Sequence, residues 1–117
     1  MHNFHKLDVY HRSRAFGRDV YLLTAMVTRP EQRVVSTQLR RSALSISATI
    51  SEGVGKGSRG ETIRFLEMAS ASTAESEHHL GMASDLAILP ERKCATLFSE
   101  AVQIGRMLRA LIEHFPE

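Results

Sequence analysis

Four basic side chains, Arg40, Arg41, Lys56 and Arg59, are the best candidates for chemistry in this sequence, and that chemistry is contact with a polyanion. Arginine and lysine neutralise phosphates without any required spacing, so the pattern points to binding and carries little specificity by itself. Neighbouring residues on a helix diverge by about 100°, so one of Arg40 and Arg41 can face solvent while the other turns inward. With Arg12, Arg33 and Arg64 the four would make a cationic surface; the competing reading pairs Arg40 or Arg41 with Glu52, Glu75 or Glu77 across helices. Base stacking has few candidates, because Phe4, Tyr10, Phe16, Tyr21, Phe65, Phe98 and Phe115 fall mostly on apolar seams.

Three other constellations carry less. The segment Gly53-Val54-Gly55-Lys56-Gly57-Ser58-Arg59-Gly60 is rich in glycine and basic. It lacks the G-x-x-x-x-G-K-[ST] order of a phosphate-binding loop and follows a helix rather than a strand, so it reads as a flexible connector with Lys56 and Arg59 exposed. Glu75-x-x-His78 has the spacing of carboxylate-bridged metal sites in bundles. Such a site needs a second pair and two further glutamates, and no second Glu-x-x-His occurs. His79 reads as filling polar space in a seam, and His2 and His5 hold at most an adventitious ion. Cys94 falls on an apolar stripe and reads as a small core residue. No metal, cofactor or catalytic group is expected, and the chain does not read as an enzyme.

The elements that position these residues are helices. Helix one is expected from about Asp8, as N-cap, to about Thr28, with Phe16, Val20, Leu23 and Val27 recurring at helical spacing and Tyr10 one turn earlier. Arg29-Pro30 stops it. Helix two runs from about Glu31 to Glu52 on a stripe of Val35, Leu39, Ser42, Ile46 and Ile50, crowded by Ala43, Ser45, Ser47, Ala48, Thr49 and Ser51. So small a face lets another backbone come close. Helix three is expected from about Glu61 to Ala87 on Phe65, Ala69, Ser72, Ser76, His79, Ala83 and Leu86, joined by Leu66, Met68 and Leu80. Helix four, about Arg92 to His114, has the cleanest seam: Cys94, Leu97, Ala101, Ile104, Leu108, Leu111 and Phe115. Four such helices on short links predict an all-α, antiparallel up-down four-helix bundle in one domain, residues 1–117.

At 117 residues, 43% apolar and 24% charged, the chain has enough apolar surface for one core and is not of disordered composition. No apolar run approaches the ~20 residues that span a bilayer, and the first residues lack a secretory apolar core. One cysteine excludes an internal disulfide and fits a reducing cytoplasm. Residues 1–60 hold ten Lys/Arg against four Asp/Glu, a net of +6, and residues 61–117 hold five against nine, a net of −4. The asymmetry fits a basic face for nucleic acid, or contact between subunits of opposite charge. Apolar residues off the seams (Tyr21, Leu22, Ile63, Met82, Phe98, Val102 and Ile112) widen the stripes and point to oligomerisation.

The block Gln38-Leu39-Arg40-Arg41, Ser45-Ile46, Ile50 and Glu52-Gly53 resembles the strongest signature of the bacterial four helix bundle protein family. That family includes proteins encoded by intervening sequences in ribosomal RNA genes and accessory variability proteins of diversity-generating retroelements. Phe4-His5-Lys6-Leu7, Tyr10, Phe65-Leu66, the run Ala69 to Glu77 and Leu80 extend the likeness along the chain, and Ser47 stands where the family usually has proline. The resemblance implies a cytoplasmic homo-oligomer built as a ring, a pentamer by analogy, in which Gln38, Leu39, Ile46, Ile50, Glu52, Gly53, Phe65 and Leu66 carry fold and assembly. It also implies RNA or DNA, or a protein such as a reverse transcriptase, as partner, with no membrane. The alternative is a protein-interaction scaffold that binds no nucleic acid.

Overall fold

Each helix begins just after a residue held in extended geometry. The computed structural model describes residues 7–116, so Phe4, His2 and His5 lie outside the described residues. Four helices follow in order: α1 Asp8–Thr24, α2 Pro30–Val54, α3 Arg59–Asp85 and α4 Glu91–Glu113. No strand occurs among the described residues. Each helix packs on its sequence neighbour and α4 returns to α1, with α2 and α3 sharing the largest interface and α1 and α4 the smallest. The body measures 47 × 21 × 19 Å.

Helix α1 is one turn shorter than its apolar spacing implied. The Thr24 hydroxyl donates to the Val20 and Tyr21 carbonyls, and the amides of Met26 and Val27 reach back only three residues, to Leu23 and Thr24. Arg29 is then extended, as a residue before proline must be, and Pro30 starts α2 as its first residue. Asp8 is not the N-cap; Leu7 is, without a side-chain bond, and Asp8 sits in the first turn where its charge suits the helix dipole. Helix α2 crosses Ser47 unbroken.

The glycine-rich connector is half the length that its composition implied. Gly53 and Val54 belong to α2 and Arg59 and Gly60 to α3, leaving residues 55–58. The Ser58 hydroxyl accepts from the Glu61 amide at 3.2 Å and caps α3; Ser-x-x-Glu is the sequence signal for that start. Across this turn the Thr62 hydroxyl donates to the Gly53 carbonyl at 2.9 Å. Helix α3 ends at Asp85, before Leu86 and Ala87, because Ala87 adopts a left-handed φ of 54°. The amides of Ala87 and Ile88 then bond the Ser84 and Ala83 carbonyls, a Schellman termination.

Phe16, Val20, Leu39, Ile46, Ile50, Leu66, Leu80, Ile104 and Leu108 are sealed in one core with Ala43, Ala69 and Ala101. The α4 seam is as its spacing implied, except that Leu111 is only half-buried. On α3 the inward positions shift: Thr62 and Thr73 are buried, Ser72 and His79 are half-buried, and Met68 and Leu86 are exposed. On α2 Ser36 is buried rather than Val35. Ser13 and Thr73 are buried because each hydroxyl donates to the carbonyl four residues back, at 2.7 and 2.9 Å. Between α2 and α3 the serines meet directly, Ser42 with Ser76 at 2.9 Å and Ser45 with Ser72 at 2.7 Å. The small face of α2 therefore does bring a second helix close, and that helix is α3.

Candidate functional site

Arg40 leaves α2 toward the end of α1. Its Nε donates to Thr24 Oγ1 at 2.5 Å, a terminal nitrogen donates to the Tyr21 carbonyl at 3.1 Å, and the guanidinium lies 4.2 Å from the Tyr21 ring centroid. The last carbonyls of a helix lack partners and attract cations. Helix α1 has no basic residue in its own last turn, so Arg40 supplies that charge from α2. It does not pair with Glu52, Glu75 or Glu77. Arg41, next along the chain, is exposed and makes no ion pair among the described residues.

Lys56 and Arg59 lie at the opposite end and are both engaged. The Lys56 ammonium sits 4.8 Å from the Phe65 ring centroid and 3.9 Å from the Glu52 carboxylate. Arg59 Nε donates to the Phe115 carbonyl at 3.4 Å, just beyond α4. Arg12 belongs to the fold as well: it grips Glu100 through two bonds of 2.7 and 3.0 Å, joining α1 to α4, with a third contact to Met107 Sδ at 3.7 Å. The bond to Glu100 raises the Arg12 pKa. Leu39, Ile46, Ile50, Gly53, Phe65 and Leu66 of the signature are buried, whereas Gln38 and Glu52 are exposed.

A different cationic set emerges from the packing. Arg14, Arg18 and Tyr21 share one stripe of α1 by their spacings of four and three. That stripe borders α2, since Tyr21 lies under Arg40 and Leu44 closes over Gly17, whose Cβ, if it had one, would stand 3.3 Å from Leu44 Cδ2. Arg33 and Arg41 are exposed on α2, and no carboxylate occurs on α2 between Glu31 and Glu52. Arg18 contacts its neighbour Asp19 at 3.5 Å, an exposed pair of little strength. The charge asymmetry of the sequence thus separates one hairpin, α1–α2, from the other. Arg14 and Arg18 were missed because their place beside α2 shows only once Tyr21 and Gly17 are packed against Arg40 and Leu44.

Exposed apolar side chains are also segregated. Tyr21, Leu22 and Met26 close α1, Val34 opens α2, Met82 and Leu86 close α3, and Phe98 opens α4. Alternating helix direction puts all of them toward one end of the bundle; among the described residues only Leu44 and Met68 break the rule.

Among the described residues, no three or more His, Cys, Asp or Glu side chains cluster for a metal ion. His79 has its pKa lowered by burial and then by His78, whose ring stands edge-on at 5.3 Å. Cys94 is buried, and burial raises its thiol pKa, the opposite of the shift that activates a thiol. No helix among the described residues is long and apolar enough to cross a membrane.

A family model described as 23S rRNA-intervening sequence protein matches residues 5–110. A similar solved structure is that of a protein of unknown function from the S23 ribosomal protein family of Bacteroides thetaiotaomicron. It is 26% identical, the match covers 90% of this chain and 98% of that one, and the TM-score is 0.82. No curated protein matches the chain.

Proposed function

The chain belongs to the 23S rRNA-intervening sequence protein family, and from there we propose that it is a non-enzymatic, cytoplasmic, homo-oligomeric binding module that holds nucleic acid on the outer face of its α1–α2 hairpin. The observation that carries the reading is the absence of any carboxylate on α2 between Glu31 and Glu52, next to exposed Arg14, Arg18, Arg33 and Arg41. Phosphates approaching that face meet positive charge with little local competition. Arg41 is the foremost phosphate contact. Arg40, fixed on Tyr21, contributes field and shape, and Lys56 and Arg59 rank lower because each already has partners. RNA comes first among polyanions because the solved relative is assigned to a ribosomal protein family. A homo-oligomer, a pentamer by family resemblance, repeats the face by symmetry, and Val34, Met82, Leu86 and Phe98 at the apolar end supply surface for that assembly.

The same apolar end favours a second reading, a protein-interaction scaffold without nucleic acid, with a protein such as a reverse transcriptase as partner. Fluorescence anisotropy with mixed-sequence single-stranded RNA and DNA, titrated across salt, decides between them. The first reading expects affinity to fall steeply with salt, and Arg14→Ala with Arg41→Ala to flatten the log–log slope by about 1 to 1.5, near 0.7 per lost contact to a single strand. Binding indifferent to salt and to both changes rejects it. Light-scattering mass on the same samples, against 13.1 kDa for one chain, reads the assembly.

A further inference from the structure

We propose that the groove between the C-terminal half of α1 and the N-terminal half of α4 is a docking site for an acidic amphipathic helix of a partner protein. The groove holds about 520 Å³ and is floored by Leu22, Leu23, Met26 and Leu97, with Arg92 and Lys93 along one wall. Leu22 and Met26 are 61% and 68% exposed, so the floor is open to solvent. It lies where the bundle is least tightly closed, between the two helices that share the smallest interface.

The walls define the occupant. Both are helices whose backbone groups are bonded internally, so no edge is offered to an added strand, and recognition falls to side chains. A helix carrying apolar residues at i, i+4 and i+7 lays one stripe along such a floor, and the run Asp19–Met26 provides about two turns of it, roughly 10 Å. Charge complementarity sets the sign. Arg92 and Lys93 make no ion pair among the described residues, and they outnumber Asp19, the acid in the groove lining. The wall is therefore positive and calls for Glu or Asp beside the partner's apolar stripe. The floor is aliphatic and offers no ring on which a base would stack, which separates this surface from the hairpin face assigned to nucleic acid.

The test uses full-length protein and a labelled synthetic helix of about four turns, some 14 residues, with leucines at the three anchor spacings and glutamates beside them. Companion peptides replace every glutamate by lysine, or scramble the order. The glutamate peptide is expected to bind, and both companions to bind at least about tenfold more weakly, as does the glutamate peptide to Met26→Glu and to Arg92→Ala with Lys93→Ala, a loss typical of removing a central anchor. These side chains are exposed, and unchanged circular dichroism and thermal midpoint certify the variants as folded. Arg41→Ala, on the hairpin face, leaves peptide binding unchanged, so failure of the nucleic-acid reading does not touch this one. Equal binding of the scrambled peptide, or binding indifferent to the groove variants, overturns the proposal. A fall in light-scattering mass for Met26→Glu with the peptide still bound also overturns it, in favour of a second copy.

Discussion

Gly53 lies in the last turn of α2 against α3, and a side-chain carbon there would stand 2.5 Å from Phe65 Cβ. The neighbour is the first carbon of its side chain, tied to the α3 backbone, so it cannot swing away. The Thr62 hydroxyl also holds the Gly53 carbonyl, which fixes the distance between the helices. Gly53→Ala is expected to destabilise the protein by about 1–3 kcal/mol through overpacking, read as a lower urea midpoint at unchanged slope; an unchanged midpoint would show that α3 yields. At this scale the sequence was legible in type more than in role. Adjacent arginines had to diverge, so one inward and one outward residue could be anticipated at Arg40 and Arg41. Which one turned inward depended on where α1 ends, and that is decided by Thr24 and Pro30. Buried Thr62 and Thr73 fall outside the expected stripe because a search for apolar spacing passes over hydroxyls that bond a nearby carbonyl.

Helix interiors were legible because repeated apolar spacing leaves one buried stripe, most plainly Cys94 to Leu108 on α4. Helix ends were not, because they depend on single torsions and single bonds. Glycine abundance made residues 53–60 look like loop, yet Gly53 is an ordinary helical residue and Ser58 with Glu61 starts α3 inside that run. The end of α3 shows the converse. Ala87 occupies the left-handed position of a Schellman turn that glycine usually takes. A methyl group there costs about 1 kcal/mol relative to glycine. Ala87→Gly is expected to stabilise the protein by about that amount, visible as a rise in thermal midpoint. A fall would mean that the Ala87 methyl contributes packing worth more than its strain.

Across the whole molecule, charge and apolar exposure are sorted along different directions: the positive side runs along the α1–α2 hairpin and the exposed apolar side chains gather at one end. The charge imbalance could be read from the chain, but its direction could not, because it requires knowing which helices pair. Cohesion is sorted too. The α2–α3 interface is the largest, with serine bonds of 2.7 and 2.9 Å across it. The α1–α4 interface is the smallest and depends on the part-exposed Arg12–Glu100 pair, worth about 1 kcal/mol or less. Amide hydrogen exchange is therefore expected to be slowest in the middle of α2 and α3 and faster in α1 and α4; equal protection in all four helices would contradict this ordering. The Arg40 cap, finally, gives the chain a timetable. During synthesis, the end of α1 is made with bonds only from its own residues, and the cation that joins them at Thr24 and Tyr21 is encoded 16 residues after Thr24. An isolated helix of about this length is marginal in water. The first helix of the nascent protein thus lacks the cation at its end until the middle of the second has been translated.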